Sequence, residues 1–186
     1  MNQSVKKKLD PVATRTSILE AAFACFSARG FSGTSIGEIA EACQVPKSLV
    51  LYHYGNKEQL WQACVQQRAA PMIWLIDRFL NEGGSVAELL EARVRLHETN
   101  PALARMLAWA SLDPVPVPTF IEERRERLLE RFSAQGSVEQ ILLALATIDG
   151  WYLYRNLYQK FAGETVVNSV SEDTVLKKAL ALVTRT

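Results

Sequence analysis

The 186-residue sequence predicts an all-α protein of about nine helices. Two observations carry that reading. Helix starts and stops recur along the whole chain, as Asp, Ser or Asn followed by Pro or by Glu three residues on, and as Gly behind an apolar stripe. Alternating apolar and polar runs bounded by turns, the mark of strands, are nearly absent. A content of 48% hydrophobic and 22% charged residues suits a folded chain, either one large domain or a small domain joined to a larger one.

Taken in order, Asp10 and Pro11 supply an N-cap and a first helical residue. Ile18, Leu19, Ala22, Cys25 and Phe26 then make the apolar stripe of a first helix that stops at Gly30. Ser35 and Glu38 form a capping box for a short second helix, with Ile36, Ile39 and Ala40 inward and an end near Cys43 and Gln44. After a tight turn, Pro46 opens a third helix as its first residue, and Gly55 and Asn56 close it. Lys57 begins a longer fourth helix through Leu60, Trp61, Cys64 and Val65 towards Leu80, with Pro71 as the expected kink. Ser85 and Glu88 cap a fifth, to about His97, and Asn100 with Pro101 starts a sixth bearing Leu103, Met106, Leu107 and Trp109. Beyond the stiff DPVPVP break come a charged seventh helix, TFIEERRERLLERF, an eighth from Ser137 to about Phe161, and a ninth from Ser171 to Val183. No internal repeat is present.

Composition excludes several classes. No stretch approaches the roughly 20 apolar residues that span a bilayer. The start, MNQSVKKKLDP, has basic residues but no apolar region behind them, so the chain reads as cytoplasmic with no membrane partner. Cys25, Cys43 and Cys64 are odd in number, widely spaced and set in apolar helical contexts. They read as small buried side chains, and no CxxC or HxxxH spacing joins Cys43, His53 or Cys64 into a metal site. No cofactor is implied. Asp149, His97 and the cysteines belong to no Gly-x-Ser-x-Gly, phosphate-loop or dinucleotide pattern, so no enzyme is expected. Net charge is +1, but residues 1–57 carry seven Lys or Arg against four acids. That asymmetry points towards a polyanion at the N-terminal end.

The stretch VPKSLVLYHYGNKEQL holds the strongest signal. Successive helix residues lie about 100° apart. Leu49, Val50, Leu51, Tyr52, His53 and Tyr54 therefore point all around the third helix and cannot all enter one core. Turning Val45, Val50 and Tyr54 inward leaves Lys47, Ser48, Leu51, Tyr52 and His53 outside, with Leu49 near the boundary. The outer side then offers hydrogen-bonding tips, a cation and apolar surface, a mixture suited to phosphates, base edges and thymine methyls. Two short helices behind a longer one, joined by a turn of about four residues, have the layout of a helix-turn-helix.

The stretch ILEAAFACFSARGFSGTSIGEIAEACQVPKSLVLYHYGNKEQL, within about the first third of the chain, resembles the DNA-binding region of the TetR family of transcriptional repressors. The matching positions are Gly30 and Phe31, Thr34 and Ser35, Ile39 and Ala40, Val45, Tyr52 to Tyr54, and Lys57, Glu58 and Leu60. The resemblance implies a helix-turn-helix DNA-binding domain over residues 1–57 and an effector-binding and dimerisation domain over 58–186. It implies that Lys57 holds a phosphate, that Thr34 and Ser35 meet the DNA backbone or base edges, and that Lys47, Ser48, Leu51, Tyr52 and His53 lie on the reading face. Three positions depart from the family pattern. Gln44 stands where Gly is usual in the turn, at a cost of about 1 kcal/mol if it takes the conformation Gly takes cheaply, unless the backbone adjusts. Pro46 replaces a common Ser, and Leu51 a common Tyr. Lys6, Lys7 and Lys8 precede the first helix as an arm able to reach phosphates or a minor groove, or merely to aid solubility.

One such unit reads too few base pairs for specificity, so a homodimer on palindromic double-stranded DNA is expected. The last two helices are the expected interface, through Leu142, Leu145, Ile148, Trp151, Tyr152, Leu176, Leu180 and Val183. The resemblance also implies a middle pocket for an unidentified apolar or amphipathic small-molecule effector, with Trp74, His97, Arg105, Met106 and Trp109 as its candidate residues. The alternative is control by a protein partner, or no effector at all. A middle region filled by its own side chains favours that alternative, and a roomy apolar cavity favours the effector.

Overall fold

The computed structural model describes residues 10–115 and 118–184, so Lys6, Lys7, Lys8 and the 116–117 part of the DPVPVP break lie outside the described residues. Among the described residues the chain is all-α, with no strand, and none of its helices is long and apolar enough to cross a membrane. The described residues form thirteen helices where about nine are expected from sequence. The helix starting at Lys57 ends at Arg68 as α4 (Lys57–Arg68) and resumes as α5 (Ala70–Glu82), because Pro71 has no N–H to continue the ladder. The charged helix divides into α8 (Thr119–Glu122) and α9 (Arg125–Gln135), and the eighth divides at Tyr154 into α10 (Val138–Leu153) and α11 (Arg155–Ala162). A short α12 (Glu164–Asn168) follows Gly163. The others are α1 (Pro11–Arg29), α2 (Ile36–Ala42), α3 (Lys47–Tyr54), α6 (Val86–Thr99), α7 (Pro101–Ala110) and α13 (Glu172–Val183).

The caps read from sequence do the work expected of them. Asp10 accepts a hydrogen bond from Val12 N, and Ser35 and Ser85 each close a reciprocal capping box with Glu38 and Glu88. Ser137 and Ser171 accept from Gln140 N and Thr174 N. Pro46 is the N-cap of α3 rather than its first residue, and offers no side-chain bond.

The chain divides into two compact units. One comprises the described residues of Met1–Gln67 and Met106–Pro116, the other those of Arg68–Arg105 and Val117–Thr186. In the first, Ile18, Phe26, Ile39, Val50, Leu60 and Trp61 are fully buried. Phe26 and Phe31 both meet the Trp61 ring edge-on, with centroids 5.3 and 5.8 Å away. In the second, Phe79, Leu90, Val94, Ile141, Ile148 and Ala179 form the core, with α6, α10 and α13 packed against one another.

Candidate nucleic-acid interface and ligand cavity

The N-terminal unit builds a helix-turn-helix from three turns held by different means. Between α1 and α2, Gly30 has φ 74° and ψ −179°, a conformation that side chains rarely take. A Cβ there would lie 2.7 Å from the Asp113 carboxylate and 3.0 Å from the Trp109 ring. Asp113 accepts a hydrogen bond from Ser32 N at 3.0 Å, which holds its carboxyl below the ordinary range. Thus a residue from the far end of the unit's sequence pins the turn. Between α2 and α3, Gln44 adopts φ 56°, the one positive φ outside glycine among the described residues, so the family's Gly position keeps its left-handed backbone despite the larger residue. After α3, Gly55 at φ 74° donates to Leu51 O at 2.7 Å.

The third helix is oriented by its inner residues. Val50 is fully buried, and the Tyr54 hydroxyl donates to Arg15 O at 2.9 Å while the Arg15 guanidinium lies 5.0 Å over the same ring. Val45 and Leu49 are half-buried. Lys47, Ser48, Leu51 and Tyr52 are exposed and His53 is half-buried, its ring edge-on to Tyr52 at 5.3 Å. Tyr52 is 82% exposed, an unusual placement for an aromatic ring.

Two residues assigned to the DNA from sequence are engaged by the protein. Thr34 is 2% exposed, and its hydroxyl donates to Gly30 O at 2.8 Å, so its side chain braces the α1–α2 turn and does not reach the surface. Lys57 is half-buried: its ammonium donates to Phe31 O at 3.0 Å and Thr34 O at 3.1 Å and lies 4.1 Å from the Phe31 ring centroid. Two of its three donors are thereby held by carbonyls. Ser35 is exposed beside them, its hydroxyl turned to Glu38 N.

The second unit contains a cavity of about 290 Å³ among α5, α6, α8, α9 and α10. None of Trp74, His97, Arg105, Met106 and Trp109 lines it. Trp74 is 62% exposed under Arg78, Arg105 is exposed, and Met106 and Trp109 belong to the other unit. Helical periodicity alone does not say which side of a helix faces a void. The cavity's charged groups are Arg93 and Asp149 instead. Arg93 grips Asp149 with two parallel bonds, Nε at 2.6 Å and Nη2 at 2.8 Å. His97, buried, stands one step behind the wall with Nε2 2.8 Å from Asp149 Oδ1 and its ring stacked on Tyr152 at 4.7 Å. Burial pushes the Asp149 carboxyl up, but the hydrogen bonds from His97 and Arg93 outweigh it and hold the group below the ordinary range.

Of the residues expected on an outer face of the last helices, Leu142 is 55% exposed, whereas Ile148 is fully buried and belongs to the core. Leu145, Trp151, Tyr152, Leu176, Leu180 and Val183 are half-buried and pack against that core. Residues unremarked in the sequence take the outward positions: Leu143 at 58%, Leu157 at 58% and Phe161 at 91% exposed.

An exposed third helix on a three-helix head, together with a larger helical unit bearing an apolar cavity, defines a two-part helix-turn-helix protein. Residues 18–64 match the family model described as bacterial regulatory proteins, tetR family. Over 104 residues the chain is 29% identical to the HTH-type transcriptional repressor SCO4008 of Streptomyces coelicolor, covering 56% of this chain and 53% of that protein. Over 62 residues it is 36% identical to the HTH-type transcriptional repressor AcnR of Corynebacterium efficiens, covering 33% of each. The matched region thus spans about half of one relative and a third of the other. Among solved structures, NalD of Pseudomonas aeruginosa, the secondary repressor of the MexAB-OprM multidrug efflux pump, shares the fold with a TM-score of 0.61 and 20% identity over 95% of this chain and 99% of that one. Residues 18–64, from within α1 into α4, thus resemble the tetR family of bacterial regulatory proteins.

Proposed function

We propose that this protein is a cytoplasmic, homodimeric transcriptional repressor that binds a palindromic operator and leaves it when a small apolar or amphipathic molecule enters the C-terminal unit. The observation that carries the reading is the outer flank of α3, where Lys47, Ser48, Leu51 and Tyr52 stand free on a helix fixed from behind by Val50 and Tyr54. Such a flank matches the major groove in its mixture of cation, hydroxyls and apolar surface. Leu142, Leu143, Leu157 and Phe161 support a dimer, because exposed apolar residues of this size on neighbouring helices need a partner. The cavity beside Arg93 and Asp149 supports an effector over control by a protein partner.

Selection of bound duplexes from a random DNA pool tests the reading. A two-fold symmetric site is expected, bound by a dimer with affinity falling steeply as salt rises. Exchanging Lys47, Ser48 or His53 is expected to change the selected sequence, and Lys57→Met to weaken all sequences alike. Enrichment of no sequence, with weak binding insensitive to changes on α3, would reject the proposal.

A further inference from the structure

The cavity of the second unit is walled by aliphatic and aromatic side chains, Leu75, Leu90, Phe120, Phe132 and Ile141 among them, and its two charged groups are of opposite sign. Those charges already satisfy each other. Both carboxylate oxygens of Asp149 hold donors from Arg93, and Oδ1 lies within hydrogen-bond distance of His97 Nε2 as well. His97 is in turn fixed by stacking on Tyr152, whose hydroxyl donates to Glu98 at 2.7 Å, so the carboxylate is braced from outside the cavity. An ionised ligand entering here would lose its hydration to apolar walls. It would gain a counter-charge only by drawing Arg93 or Asp149 away from the other, leaving that one without its partner. An uncharged ligand incurs neither cost. The size of the cavity, at the low end of the roughly 300–1,000 Å³ usual for small-molecule sites, restricts that ligand to a compact molecule.

Resting on the reading of this cavity as the effector site, we propose that it selects compact, uncharged apolar molecules, and that Arg93 and Asp149 set this selectivity by neutralising each other at its wall. Each is a specificity-determining residue, and His97 is a positioning residue acting through Asp149. Removing one member of the pair therefore turns the cavity towards ions of the same sign as the charge removed, since the member left behind attracts them.

Calorimetric titration of the full chain with three probes sharing one ring system tests this: 2-naphthylethanol, 2-naphthylacetate and 2-naphthylethylammonium. The unaltered protein is expected to bind the alcohol at least about tenfold more tightly than either ion. Asp149→Asn keeps the side-chain shape and is expected to tighten the acetate by about tenfold, and Arg93→Gln to do the same for the ammonium. Equal or tighter binding of either ion by the unaltered protein overturns the proposal, and that ranking needs no variant to fold. Unchanged ion binding in both variants overturns the assignment of selectivity to the pair. Binding of no probe by any of the three proteins rejects the cavity as an effector site, a result distinct from a wrong ranking.

Discussion

Gly30→Ala is the most demanding test of how the N-terminal unit is held together. Two costs add at this position. Alanine at φ 74° and ψ −179° occupies a backbone region close to glycine-only, worth about 1–3 kcal/mol. Its Cβ would also approach the Asp113 carboxylate to 2.7 Å and the Trp109 ring to 3.0 Å, and relieving that overpacking costs about 1–3 kcal/mol. Asp113 is only partly buried and can give way, so a total near the lower half of the sum, about 3 kcal/mol, is expected. At about 2–4 °C per kcal/mol for a chain of this size, the head should melt about 6–12 °C lower. Urea unfolding followed by tryptophan emission reads this through Trp61 and Trp109, the two of the four tryptophans that belong to the N-terminal unit. Gly37→Ala is the control: it lies within α2, its Cβ would meet only Ser35 Oγ at 3.7 Å, and helix propensity favours it by up to about 1 kcal/mol. A Gly30→Ala protein within about 1 kcal/mol of the unaltered one would refute the account of the turn.

Three further outcomes are expected. Ser35→Ala removes the cap of α2 and should cost about 1 kcal/mol, read as a lower urea midpoint with an unchanged slope. Phe161→Glu combined with Leu142→Glu places charge on the exposed apolar positions of α10 and α11, so sedimentation should show a monomer; persistence of a dimer would move the interface elsewhere. For Asp149 the folded-state carboxyl lies below its ordinary value, so its stabilisation is complete above the ordinary carboxylate range and is lost as pH falls through the lowered value. The gap in stability between the unaltered protein and Asp149→Asn should therefore be widest near neutrality and close on acidification, measured as urea midpoints from pH 7 down to 3. A gap that stays constant over this range would show that the charge of Asp149 contributes nothing.

Much of the head is legible in the amino-acid order because its determinants are local. The Ser35–Glu38 box lies within one helical turn, and the inward set of Val50 and Tyr54 follows from helical spacing. Gln44 is a finer case: the left-handed turn survives where glycine is usual, since Val45 N still bonds Ala40 O at 3.0 Å and holds the turn closed. Residues whose side chains bond the backbone of the α1–α2 turn, rather than following helical spacing, behave differently. Thr34 reads as a surface residue until its hydroxyl is seen bonded to Gly30 O, and Lys57 as a free cation until Phe31 O and Thr34 O are seen around it. Asp113 gives no local sign that it holds Ser32 N across 81 residues.

By itself the sequence determined the all-α class, the caps, the helix-turn-helix and the outward flank of α3, all of which depend on spacings of a few residues within one helix or turn. Only the tertiary structure decided where the cavity lies, that Arg93 and Asp149 close its charge, and that Ile148 is core while Phe161 is surface. A helix carries apolar residues on several sides here, and which side meets a neighbour, a void or solvent is set by packing between segments distant in the chain.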